Sequence, residues 1–308
     1  MSRNLSVSIN SSAFERINRV LSYIHGNLDM PLSLVDIAQQ SCWSRWQLQR
    51  VFQEKTGLSV ATYVRELKLS QAAERLIDGD ERVIDIALDL GFNSEISFSR
   101  AFKQMFDVSP RGYRKLGRRS GVRKPFEVAT LADLSQIDSF VEVRVETREA
   151  FTLLGVNDQI NGLFSLAPDF HVKVPALWQK LECHAEQAGL PPTHGVGVID
   201  VTQSHFDGTN IRYWAGTPVG EEFRFPELPS LTAHDFDLLN VPSQTYAVMK
   251  HKGCITQLPQ TLQWFLLNWL PHSDYRGLDG FELECYPANY REMGELAVME
   301  YWVPIERI

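Results

Sequence analysis

The sequence predicts two domains of different class. The first is an all-α domain with two helix-turn-helix motifs joined by a long helix. The second is an α+β domain built as two pseudo-symmetric β-α-β-β halves. Three observations lead there. Leu34-Val35-Asp36-Ile37-Ala38, followed by Ser44, Leu48, Arg50 and Phe52, recurs as Val83-Ile84-Asp85-Ile86-Ala87, followed by Ser94, Phe98, Arg100 and Phe102. Charge divides the chain: residues 1–124 hold 19 Lys and Arg against 13 Asp and Glu, a net of +6, whereas residues 125–308 hold 11 against 25, a net of −14. Beyond a stretch rich in Arg, Gly and Ser, the hydrophobic pattern becomes a mixture of alternating and helical runs. The boundaries expected are 8–117 for the first domain, 118–134 for a basic linker and 135–308 for the second domain.

Each copy of the repeat follows from local rules. Ser33 with Asp36, and Ser44 with Gln47, have capping-box spacing at two helix starts. The turn between these helices is Ser41-Cys42-Trp43, and Gly57 is a C-terminal stop. In the second copy Gly91-Phe92-Asn93 form the turn and Ser94 caps the next helix. The repeat offset is 49 before the turn and 50 after it, so the second turn holds one extra residue. Ser59 to Asp78 contains no internal Gly or Pro and reads as one helix of roughly 30 Å at 1.5 Å per residue. A helix of that length separates two reading heads by nearly one turn of B-DNA, about 34 Å. One chain then covers two successive major grooves, and the site is asymmetric.

The outward faces of the second helices carry the chemistry. They are Arg45, Trp46, Gln49, Arg50 and Gln53 in the first copy, and Glu95, Ile96, Ser99, Arg100 and Lys103 in the second. Arg pairs bidentately with guanine, and Gln with adenine. An equivalent arginine in both copies is hard to explain as surface decoration. A basic run including Arg111, Arg114 and Lys115 reads either as a solvated tail or as phosphate contacts that fix register.

Residues 10–117 resemble the DNA-binding domain of the AraC/XylS transcription regulators. The run Trp43-Ser44-Arg45-Trp46-Gln47-Leu48-Gln49-Arg50-Val51-Phe52 is especially similar to the MarA/SoxS/Rob branch. Gly91-Phe92, Phe98-Ser99-Arg100-Ala101-Phe102-Lys103 and Ser109-Pro110 with Tyr113 resemble the family's second motif. The resemblance implies base contacts from Trp46, Gln49 and Arg50, and from Glu95, Ile96, Ser99 and Arg100. It also implies double-stranded DNA and RNA polymerase as partners. Relatives often carry glutamines where this chain has Glu95 and Ile96, so the first head is expected to read more strongly than the second. Backbone contacts are expected from Arg45, Lys103, Arg111, Arg114 and Lys115.

In the acidic half, strands are expected at Phe140 to Val145, Gly195 to Val201, Tyr246 to Lys250 and Phe281 to Tyr286, with helices at Val174 to Ala188 and Leu258 to Leu270. The order strand, helix, strand, strand occurs twice, which implies a groove on a pseudo-two-fold axis. Period two puts Glu282, Glu284 and Tyr286 on one face. With Trp178, Trp214 and Trp302 they are the expected ligand-binding set, suited to a flat apolar or cationic molecule. By composition alone, core aromatics and solvated glutamates on an exposed strand fit better than a ligand site.

The pieces Tyr246 to Gly253, Trp269-Leu270-Pro271, Phe281 to Pro287 and Met299 to Ile305 resemble the GyrI-like, or SOUL-like, effector-binding domain. In that resemblance Glu284, two residues before Tyr286, faces the pocket. A hydrolase or a gyrase-inhibitor-like interaction module remains the alternative for this half. The four cysteines, Cys42, Cys183, Cys254 and Cys285, form no CxxC pair, and no apolar run reaches membrane length. No cofactor, metal, catalytic residue or membrane contact is expected, and the expected location is the bacterial cytoplasm, on the nucleoid.

Overall fold

The computed structural model describes residues 3–126, 141–162, 165, 167–187, 195–202, 209–220, 236–287, 290 and 297–308. The expected linker residues 127–134 and the first residues of the expected second domain, 135–140, lie outside them. The chain forms two compact units, residues 1–41 with 52–134 and residues 42–51 with 135–308.

The first unit is helical. Its elements are α1 (Arg3–Gly26), α2 (Leu34–Ala38), the end of α3 (Arg45–Thr56), α4 (Val60–Asp78), α5 (Val83–Asp89), α6 (Glu95–Phe106) and α7 (Pro110–Leu116). Serine side chains start four of the helices: Ser33, Ser59, Ser94 and Ser109 each accept a backbone amide from three residues on. Helix α4 has the predicted bounds and is about 28 Å long. Its Leu69, Ala72, Ala73 and Leu76 pack with Val83, Ile86 and Ala87 of α5, Phe98 and Phe102 of α6, and Tyr113 of α7. Lys68, nearly buried on α4, donates to the carbonyls of Met30 and Leu90, both at 2.9 Å. One ammonium thus ties the α1–α2 loop to the end of α5. Burial lowers its pKa.

Residues 118–126 were expected as linker, and they fold back on the helices instead. Arg119 pairs with Asp78, Arg123 with Glu66, and the Tyr113 hydroxyl donates to the Ser120 carbonyl at 2.8 Å. Phe126 stacks on Tyr63 with ring centroids 4.7 Å apart. The arginines of the basic run find carboxylates on α4, which composition alone does not disclose.

The described strands of the second unit are β1 (Val143–Arg148), β2 (Phe151–Ile160), β3 (Gly195–Asp200), β4 (Ile211–Val219), β5 (Asp237–Val241), β6 (Gln244–Lys252), β7 (Tyr275–Gly277), β8 (Phe281–Tyr286) and β9 (Val298–Arg307). Eight lie in the order β1-β6-β9-β8-β3-β4-β2-β5, and β7 pairs with β9. Every pairing is antiparallel. The two halves are β2-α8-β3-β4 and β6-α9-β8-β9, with α8 at Phe170–Gln187 and α9 at Leu258–Trp264. Their sheet orders mirror each other about the β8–β3 pair, as a pseudo-two-fold axis requires. Strand β2, which leads the first half, was not foreseen, nor were β5 and β7; the strand expected to lead that half, Phe140 to Val145, is described from Val143 as β1 and pairs with β6 of the other half. The helix expected to continue to Leu270 widens into a π turn at Phe265–Trp269 and closes with a 3-10 turn at Leu270–His272. Pro271 has no amide to extend an α-helical ladder.

Register assigns side chains to the two sheet faces. Glu284 pairs with Gly197 and with Tyr301, and Glu282 with Ile199, which in turn pairs with Tyr213. These residues share one face, where α8 packs through Leu177 and Leu181. Leu283, Trp214, Trp302, Tyr246, Val196 and Val198 form a cluster on the other face.

Candidate nucleic-acid interface and effector groove

The face of α6 expected to read DNA is open. Ser94 Oγ accepts the Ser97 amide at 3.1 Å and fixes the first turn. Ile96 is 75% exposed, Arg100 and Lys103 are exposed, and Glu95 and Ser99 are half-buried. Arg111 and Lys115 on α7 are exposed, and Arg111 stands 3.7 Å from Glu95. Arg114 departs from expectation. Its guanidinium donates to the carbonyls of Leu76 at 3.0 Å and Glu81 at 2.6 Å. It satisfies the end of α4 and the loop after it, and is not held out for phosphate.

The other helix expected to read DNA, α3, begins in the second unit. Its capping box is complete: the Gln47 amide donates to Ser44 Oγ, and the Ser44 amide to Gln47 Oε1, both at 3.2 Å. A further acceptor comes from far along the chain. Asp279 takes the Trp46 amide at 3.0 Å and Arg45 Nε at 2.5 Å. A carboxylate at a helix N-terminus satisfies an orphan amide and opposes the helix dipole. Arg45, expected against DNA backbone, is therefore ion-paired. Trp43 Nε1 donates to the Leu266 carbonyl in the π turn at 2.9 Å, and the Gly277 amide to the Cys42 carbonyl at 2.8 Å. Trp46 and Arg50 line a small cavity with Leu262, Phe265, Glu282 and Tyr301. Gln49, expected on the outward face, is 2% exposed, and Trp46 is half-buried.

A second cluster surrounds Glu284. Its Oε2 accepts from the hydroxyls of Tyr213 at 2.7 Å and Tyr286 at 2.9 Å. Trp178 Nε1 donates to the Tyr213 hydroxyl at 3.0 Å, and its ring meets Tyr286 edge-on at 5.4 Å. Gly195 and Gly197 make this possible: a Cβ at either would collide with the Trp178 ring or with the Tyr213 hydroxyl and Glu284. Glu282 is bonded by the Tyr301 hydroxyl at 2.5 Å. Burial raises the pKa of both carboxyls, the tyrosine hydroxyls pull each back down, and the Arg50 charge also lowers Glu282. Two buried carboxylates held by phenols on one floor suit a cation with aromatic surface.

Two expected members of this set lie elsewhere. Trp214 and Trp302 stand on the opposite face, packed with Leu283. Their neighbours Tyr213 and Tyr301 take their place, because successive strand residues alternate faces. The Tyr213-Trp214 and Tyr301-Trp302 pairs flagged the right strands without the register that chooses between partners. Asp279, Gly277 and the glycine floor were missed. The alternation Gly195-Val196-Gly197 was the available signal for the floor, and nothing local marks Asp279 as a cap. Among the described residues no group of three or more His, Cys, Asp or Glu is arranged to hold a metal.

Comparison with known proteins follows the same division. Residues 37–116 match the helix-turn-helix domain family, and residues 141–306 match the GyrI-like small molecule binding domain family. The chain is 33% identical over 299 residues to the right origin-binding protein of Escherichia coli K12, covering 94% of this chain and 98% of that one. It is 26% identical to the transcriptional regulator Rob of Salmonella typhimurium over the same shares. Over 98 residues, 32% of this chain and 77% of the other, it is 39% identical to the multiple antibiotic resistance protein MarA of Escherichia coli K12.

Proposed function

The chain belongs to the AraC-type transcription regulators that carry a C-terminal GyrI-like domain, and on that premise we propose that it is a ligand-responsive regulator. In this reading it binds an asymmetric site of about two major-groove turns as a monomer. Trp46, Gln49 and Arg50 read bases from α3. Ile96, Ser99 and Arg100 add weaker contacts from α6, where Glu95 has only a cytosine amino group to accept from. Lys103, Arg111 and Lys115 meet phosphate. RNA polymerase is the partner through which such a complex acts.

One observation carries the ligand response: Glu284 is a buried carboxylate held by two tyrosine hydroxyls beside the Trp178 indole. Burying a charge without a cationic partner is costly. A planar aromatic cation supplies both the missing charge and the ring contact. The test is a duplex selected from a random pool by the purified protein, then titrated with wild type, Arg50→Ala and Arg100→Ala. Arg50→Ala is expected to weaken the selected duplex by about 1–3 kcal/mol and to relax one or two base positions, with a smaller effect from Arg100→Ala. Equal losses on selected and random duplex would remove the base-reading assignment.

A further inference from the structure

We propose that the groove of the second unit has a resident occupant, the segment Cys42–Val51 of the same chain, and that a groove ligand acts by taking its place. This rests on the reading above, in which the same segment reads DNA and the groove binds an aromatic cation.

The segment is seated by chemistry specific to it. Asp279 accepts both the Trp46 amide and Arg45 Nε, the Leu266 carbonyl accepts Trp43 Nε1, and the Gly277 amide donates to the Cys42 carbonyl. The steric fit is equally specific. A Cβ at Gly277 would overlap the side-chain amide of Gln47, which is 2% exposed and already bonded to the Ser44 amide. A larger residue at 277 would force that buried amide out of its present place.

The occupant also has the chemistry of the proposed ligand. Trp46 packs against the cluster of Leu154, Val156, Leu177 and Tyr213 under α8, and it lines the cavity beside Leu262 and Phe265 as well. One indole therefore spans the floor from one pseudo-symmetric half to the other. Arg50 lines the same cavity as Glu282, and its positive charge helps that buried carboxyl ionise against the cost of burial. An aromatic ring and a guanidinium, one helical turn apart on α3, thus face the carboxylate floor that an aromatic cation would use.

Trp46 and Arg50 cannot line this cavity and contact base edges at once. Docked and released states of the segment then compete, and DNA and the groove ligand both select the released state. By linkage each raises the affinity for the other by the same factor, bounded by the docking constant.

The test uses the full chain with the pool-selected duplex. Asp279→Ala removes two acceptors and Gly277→Val fills the seat. Neither residue is in the proposed reading set. Each is expected to tighten DNA binding about tenfold, the size of one to two lost hydrogen bonds. A synthetic peptide of residues 42–51 added in trans is expected to tighten DNA binding by wild type and to leave both variants unmoved. Unchanged or weaker DNA binding by both variants, with wild-type circular dichroism, would overturn the proposal, as would a peptide without effect on wild type. Because Arg50 also lines the cavity, Arg50→Ala is made in the Gly277→Val background, where the seat is already filled, and this separates the two readings. If the double variant binds the selected duplex as Gly277→Val alone does, base reading by Arg50 fails. If it binds more weakly than Gly277→Val alone while Asp279→Ala and Gly277→Val do not tighten that duplex relative to wild type, base reading stands and docking fails.

Discussion

Replacing Glu284 by glutamine keeps side-chain volume and removes one charge from the groove floor. Glu284 is 8% exposed, and the hydroxyls of Tyr213 and Tyr286 donate to its Oε2 at 2.7 and 2.9 Å. Burial raises its carboxyl above the ordinary 4.5, and the two phenols pull it partly back. A carboxyl with a raised folded pKa contributes stability that is full below the unfolded value and is lost as pH rises through the folded value. Wild type therefore gives up this contribution on going from about pH 4.5 toward neutrality, and Glu284→Gln does not. In urea titrations at pH 4.5 and 7.5 the variant should gain stability relative to wild type at the higher pH. The ligand effect has the opposite sign. A cation about 4 Å from a carboxylate is attracted by about 4 kcal/mol at an effective dielectric constant of about 20. Dehydration of the cation offsets part of that. A net 1.5–3 kcal/mol, the usual range for a charged hydrogen-bond partner, is about 10- to 100-fold in Kd. Tryptophan quenching by N-methylacridinium and by neutral acridine, without DNA, reads this directly. The variant should lose the cation by that factor and keep the neutral ring. Equal losses for both ligands, or none for the cation, would refute the electrostatic reasoning.

Other outcomes follow from where the basic residues lie. Arg114→Ala removes two bonds to the carbonyls of Leu76 and Glu81, so chemical denaturation should show a loss of about 1–3 kcal/mol. Lys115→Ala, at an exposed position, should leave stability unchanged, weaken all duplexes alike and flatten the salt dependence of binding by about one phosphate contact. Sedimentation on a duplex of about 20 base pairs, two turns of B-DNA, should show one chain per site, and two chains on an asymmetric site would rule out monomeric recognition.

Much of the helical architecture was legible in the residues because its signals are local. Serine caps at 33, 44 and 94 and the Gly- and Pro-free run of α4 act within one or two turns. The repeat then placed Arg50 and Arg100 as equivalents without any tertiary knowledge. The β-α-β-β duplication was visible for a similar reason, since period two and period 3.6 are read in short windows. Sheet register was not, because it is set by strands far apart in sequence. Only the pairing of β8 with β3 and β9 brought Glu284 opposite Gly197 and Tyr301 and turned Trp214 and Trp302 to the other face. The capping of Trp46 by Asp279 spans 233 positions, and the fit of Gly277 against Gln47 is a property of close packing. Residue types and short spacings determined which helices form and which residue kinds they display. Burial and long-range contact, which depend on where the rest of the chain goes, decided which of those side chains are free.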